Sequence, residues 1–358
     1  MTSRRNFLGA AAGVAFCGCG MLQAAHAQGT RRTAVAVGGK TVKTIDTHAH
    51  CVFLDVLPLL NNDRSVLFNS VRGADETPID VAQRFAAMDA QRVDMEVLSV
   101  NPYWYGRDRD LAAQIVKINN EKMAELCAAH PDRFAGFASL TLQAPELAVA
   151  ELEKAMKNQG LKGAAIGGNV AGVDFSDAKF HPVWAKAEEL GAVLFIHPGG
   201  TPQLNQRFAG NGWLGNTIGN PLDTTIALSK LIFEGTLDRF PGLKLLAAHG
   251  GGFLPSYADR SDHSCTVSPA GCNPAITLKK KPTEYLKQMW FDSLIFTPEA
   301  IRHLQAQVGA SQIVLGSDYP YPWALKPVDH IFACESLSDA EKIAVLGGTA
   351  AKLLNIAV

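Results

Sequence analysis

Two histidines one residue apart, His48 and His50 in Lys43-Thr44-Ile45-Asp46-Thr47-His48-Ala49-His50, are the first residues in this 358-residue chain whose types and spacing suggest chemistry. Val42 to Ile45 read as a short buried strand, and in extended backbone residues two apart point the same way, so both imidazoles can enter one mouth. Neutral imidazoles at that spacing suit a divalent metal, although a His-x-His pair alone does not make a site. Partners of ligand type come later, each directly after an apolar run bounded by turn residues. Val193 to Ile196 ends in His197, Leu243 to Ala248 in His249, and Ile313 to Ser317 in Asp318. Ligand-type residues at the C-terminal ends of separate strands are what a (β/α)-barrel active site requires, because the loops of that face converge.

The elements that must position these residues alternate along the chain. Strands are expected at Met95 to Val100, Phe134 to Leu140, Gly163 to Ile166, Met289 to Asp292 and Gln312 to Ser317, besides the runs named above. Helices are expected at about 80–92, 108–130, 145–159, 182–190, 221–234 and 298–307, several opened by Asp or Pro. About eight alternations favour one α/β domain, a distorted (β/α)8 TIM barrel with loop insertions, over a doubly wound sheet whose ligands would gather at one switch point. The stretch from His50 to about Glu76 is too long for a simple connection and reads as a substrate-facing insertion.

Composition is ordinary for a globular chain, 47% hydrophobic and 19% charged. A net charge of −1 gives no electrostatic case for nucleic acid or an anionic membrane surface. Residues 1–27 read as a leader outside the fold. Ser3-Arg4-Arg5-Asn6-Phe7-Leu8 resembles a twin-arginine export motif, a Gly- and Ala-rich apolar stretch follows, and Ala25-His26-Ala27 fits a cleavage site. The expectation is a periplasmic mature form, residues 28–358, with no membrane association. Cys17 and Cys19 leave with the leader, and five cysteines remain. Cys265 and Cys272 flank a turn-rich segment whose spacing allows a local disulfide in an oxidising compartment.

Several motifs together resemble the amidohydrolase superfamily. They are Ile45 to His50, Pro131 to Leu140 with Gln143 to Ala148, His197-Pro198, Ala248 to Gly252, and Leu315 to Pro320. The likeness is to amidohydrolase-related family 2, the subgroup of aminocarboxymuconate-semialdehyde decarboxylase and related aromatic-acid decarboxylases. It implies that His48, His50, His197 and Asp318 bind one divalent ion, zinc in the first place and manganese in the second. Two-metal members carry a lysine at the end of the fourth strand, where this chain has Ile166-Gly167-Gly168. His249 would be the general base beside a metal-bound water, with Asp318 sharing the proton transfer; the alternative for His249 is a strand-end histidine merely hydrogen-bonded in the mouth. Arg260 matches a carboxylate-binding arginine contributed across a homodimer interface, the alternative being a surface ion pair with a nearby aspartate. Arg72, and Trp104 with Tyr103, Tyr105, Trp213 and Trp323, are candidates for substrate contact.

The implied activity is non-oxidative decarboxylation of a small aromatic or unsaturated carboxylic acid. Hydrolysis or hydration on the same apparatus is the alternative, and metal binding without turnover a third reading. Two departures, Asn69 where the aminocarboxymuconate enzyme has an arginine and Gly199 where it has a tryptophan, argue against that enzyme's own substrate.

Overall fold

The computed structural model describes residues 33–68 and 71–357, so the leader and Asn69 lie outside the described residues. One compact unit, Val35–Val358, contains the whole site. It begins with an antiparallel hairpin, β1 (Val35–Val37) and β2 (Lys40–Val42), which turns at Gly38 and Gly39 with both φ positive. Eight parallel strands follow: β3 (Ile45–His50), β4 (Met95–Ser99), β5 (Phe134–Gly136), β6 (Gly163–Ile166), β7 (Val193–Ile196), β8 (Lys244–Ala247), β9 (Met289–Asp292) and β10 (Ile313–Val314).

Full ladders join β3, β4 and β5, and separately β6 through β10. Two seams complete the circle. Ala138 N donates to Gly163 O at 2.8 Å and Ala165 N to Ala138 O at 2.9 Å, tying the chain after β5 to β6. Thr47 N to Leu315 O, Asp318 N to His48 O and His50 N to Tyr319 O, at 2.9, 2.8 and 2.7 Å, tie β3 to the chain after β10. The expected strands 134–140 and 312–317 are therefore cut to three and two residues, and both shortened strands flank a seam. Closure through short bridges is the distortion in this (β/α)8 barrel.

Among the described residues, seven helices of ten residues or more cover the outside: α1 (Val81–Gln91), α2 (Arg109–Ala129), α3 (Pro145–Asn158), α4 (His181–Leu190), α5 (Asn220–Phe233), α6 (Ala258–Val267) and α7 (Pro298–Val308). Asp80, Asp108 and Thr297 accept the backbone N–H of Gln83, Leu111 and Ala300, which satisfies amides that a helix start leaves orphaned. Strand residues alternate between two apolar layers, as a period of two requires. Met95, Val97, Val193, Phe195, Leu246 and Val314 fill the barrel, and Ala350, Ala351, Leu353 and Leu354 pack against them. Leu98, Leu194, Ile196 and Leu245 point outward into the layer shared with the helices.

The disulfide that the spacing allows is present: Cys265 and Cys272 are joined, with Cα atoms 5.7 Å apart, closing the turn after α6. Cys51, Cys127 and Cys334 are free thiols, and Cys51 is buried in the outer layer as its place in the strand suggests. Among the described residues no helix is long and apolar enough to cross a membrane.

Candidate metal centre

The inward parity of each strand, carried past its last ladder pair, delivers a polar side chain into the mouth. Val193 and Phe195 point inward, and His197 follows them two residues on. From Val314 the same step reaches Gly316 and then Asp318. In β3 the parity changes, since Ile45 faces inward and so do His48 and His50. A register shift between Asp46 and Ala49 supplies the extra residue. His249 lies one residue past the inward Ala248, and a left-handed backbone, φ 55°, accompanies that change of parity. Asp318 is left-handed as well, at φ 65°. Such residues cost about 1–3 kcal/mol each and gather at functional sites.

The side chains meet closely. His48 Nε2 lies 3.1 Å from His50 Nε2, and Asp318 Oδ1 lies 3.1 Å from the first and 2.7 Å from the second. One donor atom each from His48, His197, His249 and Asp318 falls within 4.8 Å of the others. His249 Nε2 faces the second oxygen, Asp318 Oδ2, at 3.7 Å. The His48, His50 and Asp318 side chains are buried, while His249 is 17% exposed, so it is more open to solvent than they are.

Tautomers follow from the outer partners. Asp292 Oδ2 lies 2.6 Å from His48 Nδ1, which therefore carries the proton. The Ser99 hydroxyl donates to Ala49 O and accepts from His50 Nδ1 at 3.0 Å. Both Nε2 atoms consequently face each other and the Asp318 carboxylate. Two donors each about 2.1 Å from one ion sit about 3.0 Å apart at a right angle and about 3.4 Å apart at the tetrahedral angle. Two of the observed spacings, both 3.1 Å, fall in that range, and the third, 2.7 Å, lies just below it. Both ring nitrogens of His197 and Oδ1 of Asp318 are buried without a hydrogen-bond partner, which is costly unless a cation satisfies them. The residues present therefore fit one divalent ion.

Electrostatics describe the same spot. Burial opposes protonation of His48, yet the Asp318 and Asp292 carboxylates outweigh it and push the imidazole up to about 10. Burial holds His50 down at about 4 and His197 well below its ordinary value, which leaves both as neutral donors. Burial would raise Asp318, but the charge of His48 and the nearby imidazoles of His249 and His50 overcome it and hold the carboxyl well below its ordinary range. Asp46, behind the site, is pushed up to about 7 by burial and by Glu96, against the pull of hydrogen bonds from Ser317 and the His48 amide.

The single-ion expectation has a steric counterpart. A Cβ on Gly168 would come within 2.3 Å of the Asp223 carboxylate, which accepts from Gly199 N at 2.9 Å and Asn169 Nδ2 at 3.1 Å and so anchors the turn after His197. Gly316 is similarly committed, since a Cβ there would meet Asp292 at 2.8 Å and His48 at 3.1 Å.

The expected substrate residues fare unevenly. Trp104 is a correction: it is fully buried, its Nε1 donates to Leu140 O at 2.9 Å, and its ring packs in the core, so it cannot touch substrate. Tyr103 and Tyr105 pack against it edge-on. Arg72 is exposed and lines the outer mouth with Val71, Trp213 and Trp323. Arg260 is exposed on α6 and makes no ion pair among the described residues. Trp213 and Trp323 stack at the mouth with ring centroids 5.7 Å apart. Three residues that sequence reasoning passed over lie at the site. Asp292 orients His48, and Asn216 and Asn220 line the cavity above His197 and Asp318. A carboxylate directly ending the apolar run at Met289 was the available signal for Asp292.

A parallel barrel with imidazoles and one carboxylate at its C-terminal mouth defines a metal-dependent barrel enzyme. The amidohydrolase family model matches residues 45–356, and the chain belongs to that family. The 2-amino-3-carboxymuconate-6-semialdehyde decarboxylase of Dictyostelium discoideum is 33% identical over 292 residues, covering 80% of this chain and 79% of that one. Among solved structures, 5-carboxyvanillate decarboxylase from Sphingomonas paucimobilis superposes with a TM-score of 0.80 at 26% identity, over 88% of this chain and 100% of that chain. The 5-carboxyvanillate decarboxylase of Novosphingobium aromaticivorans, complexed with manganese and 4-hydroxy-3-methoxy-5-nitrobenzoic acid, shares the fold with a TM-score of 0.78 at 23% identity, over 91% and 100%.

Proposed function

We propose that this chain is a metal-dependent, non-oxidative decarboxylase of an aromatic or unsaturated carboxylic acid. The observation that carries the reading is His249, which lines the cavity above Asp318 and holds its Nε2 3.7 Å from Asp318 Oδ2. That cavity, about 180 Å³, is bounded by His197, Asn101, Asn216, Asn220 and Tyr321, among others. When bound by His48, His50, His197 and Asp318, a divalent ion supplies a Lewis acid that orients the substrate and offsets its negative charge. Decarboxylation needs a proton at the carbon bearing the carboxylate. The bond to the carboxylate then breaks, its electron pair returns to the ring, and carbon dioxide leaves. His249 carries that proton at Nε2 and delivers it, and the Asp318 carboxylate, with Oδ2 3.7 Å away, offsets the charge of the protonated ring. Asn101, Asn216 and Asn220 orient the acid through their amides.

Zinc or manganese fills the donor set on chemical grounds, since imidazole and carboxylate suit both. The manganese in the Novosphingobium neighbour supports the second, and elemental analysis of the purified protein decides. The active form is a homodimer in which Arg260 serves the partner's site. Support comes from the cavity itself, whose described lining includes no lysine or arginine, and from an exposed Arg260 that makes no ion pair among the described residues. Export to the periplasm after cleavage near Ala27 is supported by the Arg4-Arg5 motif and by the Cys265–Cys272 disulfide. N-terminal sequencing of a periplasmic fraction tests it, and a chain that keeps its first residues would overturn it.

The deciding experiment offers the metal-loaded protein a panel of aromatic and unsaturated carboxylic acids and their lactones, read by mass spectrometry. Loss of carbon dioxide from any of them is the expected result. Gain of water instead would make the chain a hydrolase or hydratase with the same metal centre. In parallel, His249→Ala should keep its metal and lose about a hundredfold or more in turnover.

A further inference from the structure

A second cavity of about 140 Å³ opens beside the metal cavity on its His249 side. The two share Asn216, Asn220, His249 and Trp323, and the second adds Thr217, Pro221 and Phe296. Size separates their roles. A cavity of about 150 Å³ takes up benzene, so the metal cavity, at about 180 Å³, holds one ring with small substituents. The annex has room for another group of nearly ring size.

Chemistry separates them too. The metal cavity is walled by His197, Asp318, Tyr321 and Asn101, whose Oδ1 has no hydrogen-bond partner. The residues peculiar to the annex present a proline ring, a phenyl ring and a threonine. Trp323 stacks on Trp213 with the planes 5° apart, and Phe296 approaches it at 6.0 Å. Trp213 and Phe296 are 48% and 57% exposed and are held at φ 50° and 64°, a backbone that bulky residues rarely adopt. Exposed aromatic area kept at the mouth by unfavourable backbone is what a ligand clamp requires.

We infer that the substrate carries, besides its carboxylated ring, an apolar substituent of aryl or branched-alkyl size that fills the annex against Phe296 and Trp323. The reacting ring in this inference rests on the decarboxylase reading; the annex does not.

The test is isothermal titration of the metal-loaded protein with 2-hydroxybenzoic acid and with its phenyl-substituted counterparts, one for each open ring position. At least one counterpart should bind roughly ten- to a hundredfold tighter, the gain from burying a phenyl group. Phe296→Ala, which removes a wall, and Thr217→Phe, which fills the space, should each abolish that gain. Weaker binding of every counterpart, or a gain that survives both variants, would overturn the annex. Turnover of the same compounds keeps the two ideas apart. Tight binding of a phenyl-substituted acid without release of carbon dioxide from any acid sinks the decarboxylase reading alone. Decarboxylation of the parent acid with no phenyl preference sinks the annex alone.

Discussion

Asp292 holds three parts of the centre at once. Its Oδ2 pairs with His48 Nδ1 and accepts the His249 amide at 2.9 Å, and its Oδ1 accepts the amides of Gly250 and Leu294 at 2.9 and 3.1 Å. Asp292→Asn keeps the shape, removes the charge and gives up an acceptor, so metal affinity should fall about ten- to a hundredfold with the fold intact. Unchanged affinity by metal titration would show that Asp292 only anchors the turn. His48 gives a pH prediction with a definite sign. Without an ion its raised value of about 10 means a proton occupies the spot where donors converge, and binding must displace it. Apparent affinity should therefore rise about tenfold per pH unit, between about 4, below which His50 also takes a proton, and about 10. A flat profile across that window would refute the displacement. In the metal-free protein the same shift stabilises the fold fully below 6.5, and that contribution is lost as pH rises through about 10.

Elements set which aromatic residues are free to meet substrate. The loop after β4 presents Tyr103, Trp104 and Tyr105 in sequence at the active-site face, yet the chain folds it back and Trp104 satisfies Leu140 O. Sequence could not show this, because a loop tryptophan and a core tryptophan have the same local neighbours. Trp104→Phe leaves that carbonyl unpaired and should cost about 1–3 kcal/mol of stability by denaturant titration, while KM stays unchanged. A large rise in KM at full stability would restore Trp104 as a substrate residue. Helix α1 carries a similar surprise on its inner face. Beside the buried Met88 that face holds a buried Arg84, whose Nε pairs with Glu96 at 2.6 Å and whose Nη1 donates to His50 O at 3.0 Å. Charge on that face is tolerated because Glu96 answers it and the Tyr319 ring lies 4.3 Å beneath the guanidinium.

At the scale of the molecule, the barrel gathers donors from strands 268 residues apart in sequence, and the described lining of the cavity includes no lysine or arginine. If the partner supplies Arg260, the protein should sediment as a dimer, and Arg260→Ala should raise KM for a carboxylate substrate about tenfold or more without changing metal content, a charged hydrogen bond being worth that much. A fully active monomer would exclude the arrangement. Legible in the sequence alone were the alternation of eight strands with helices, the strand-end positions of His48, His50, His197, His249 and Asp318, and the absence of a lysine after Ile166. Each depends on local period and residue type, which the chain carries wherever it folds. Tertiary structure alone decided the rest. The bulge in β3 set the facing of His48 and His50, the seams trimmed β5 and β10, and Asp292 met His48 across 244 residues. The same closure buried Trp104 and brought Trp213, Phe296 and Trp323 together at the mouth. These are contacts between distant segments, and their partners are chosen by how the barrel closes rather than by anything adjacent in the chain.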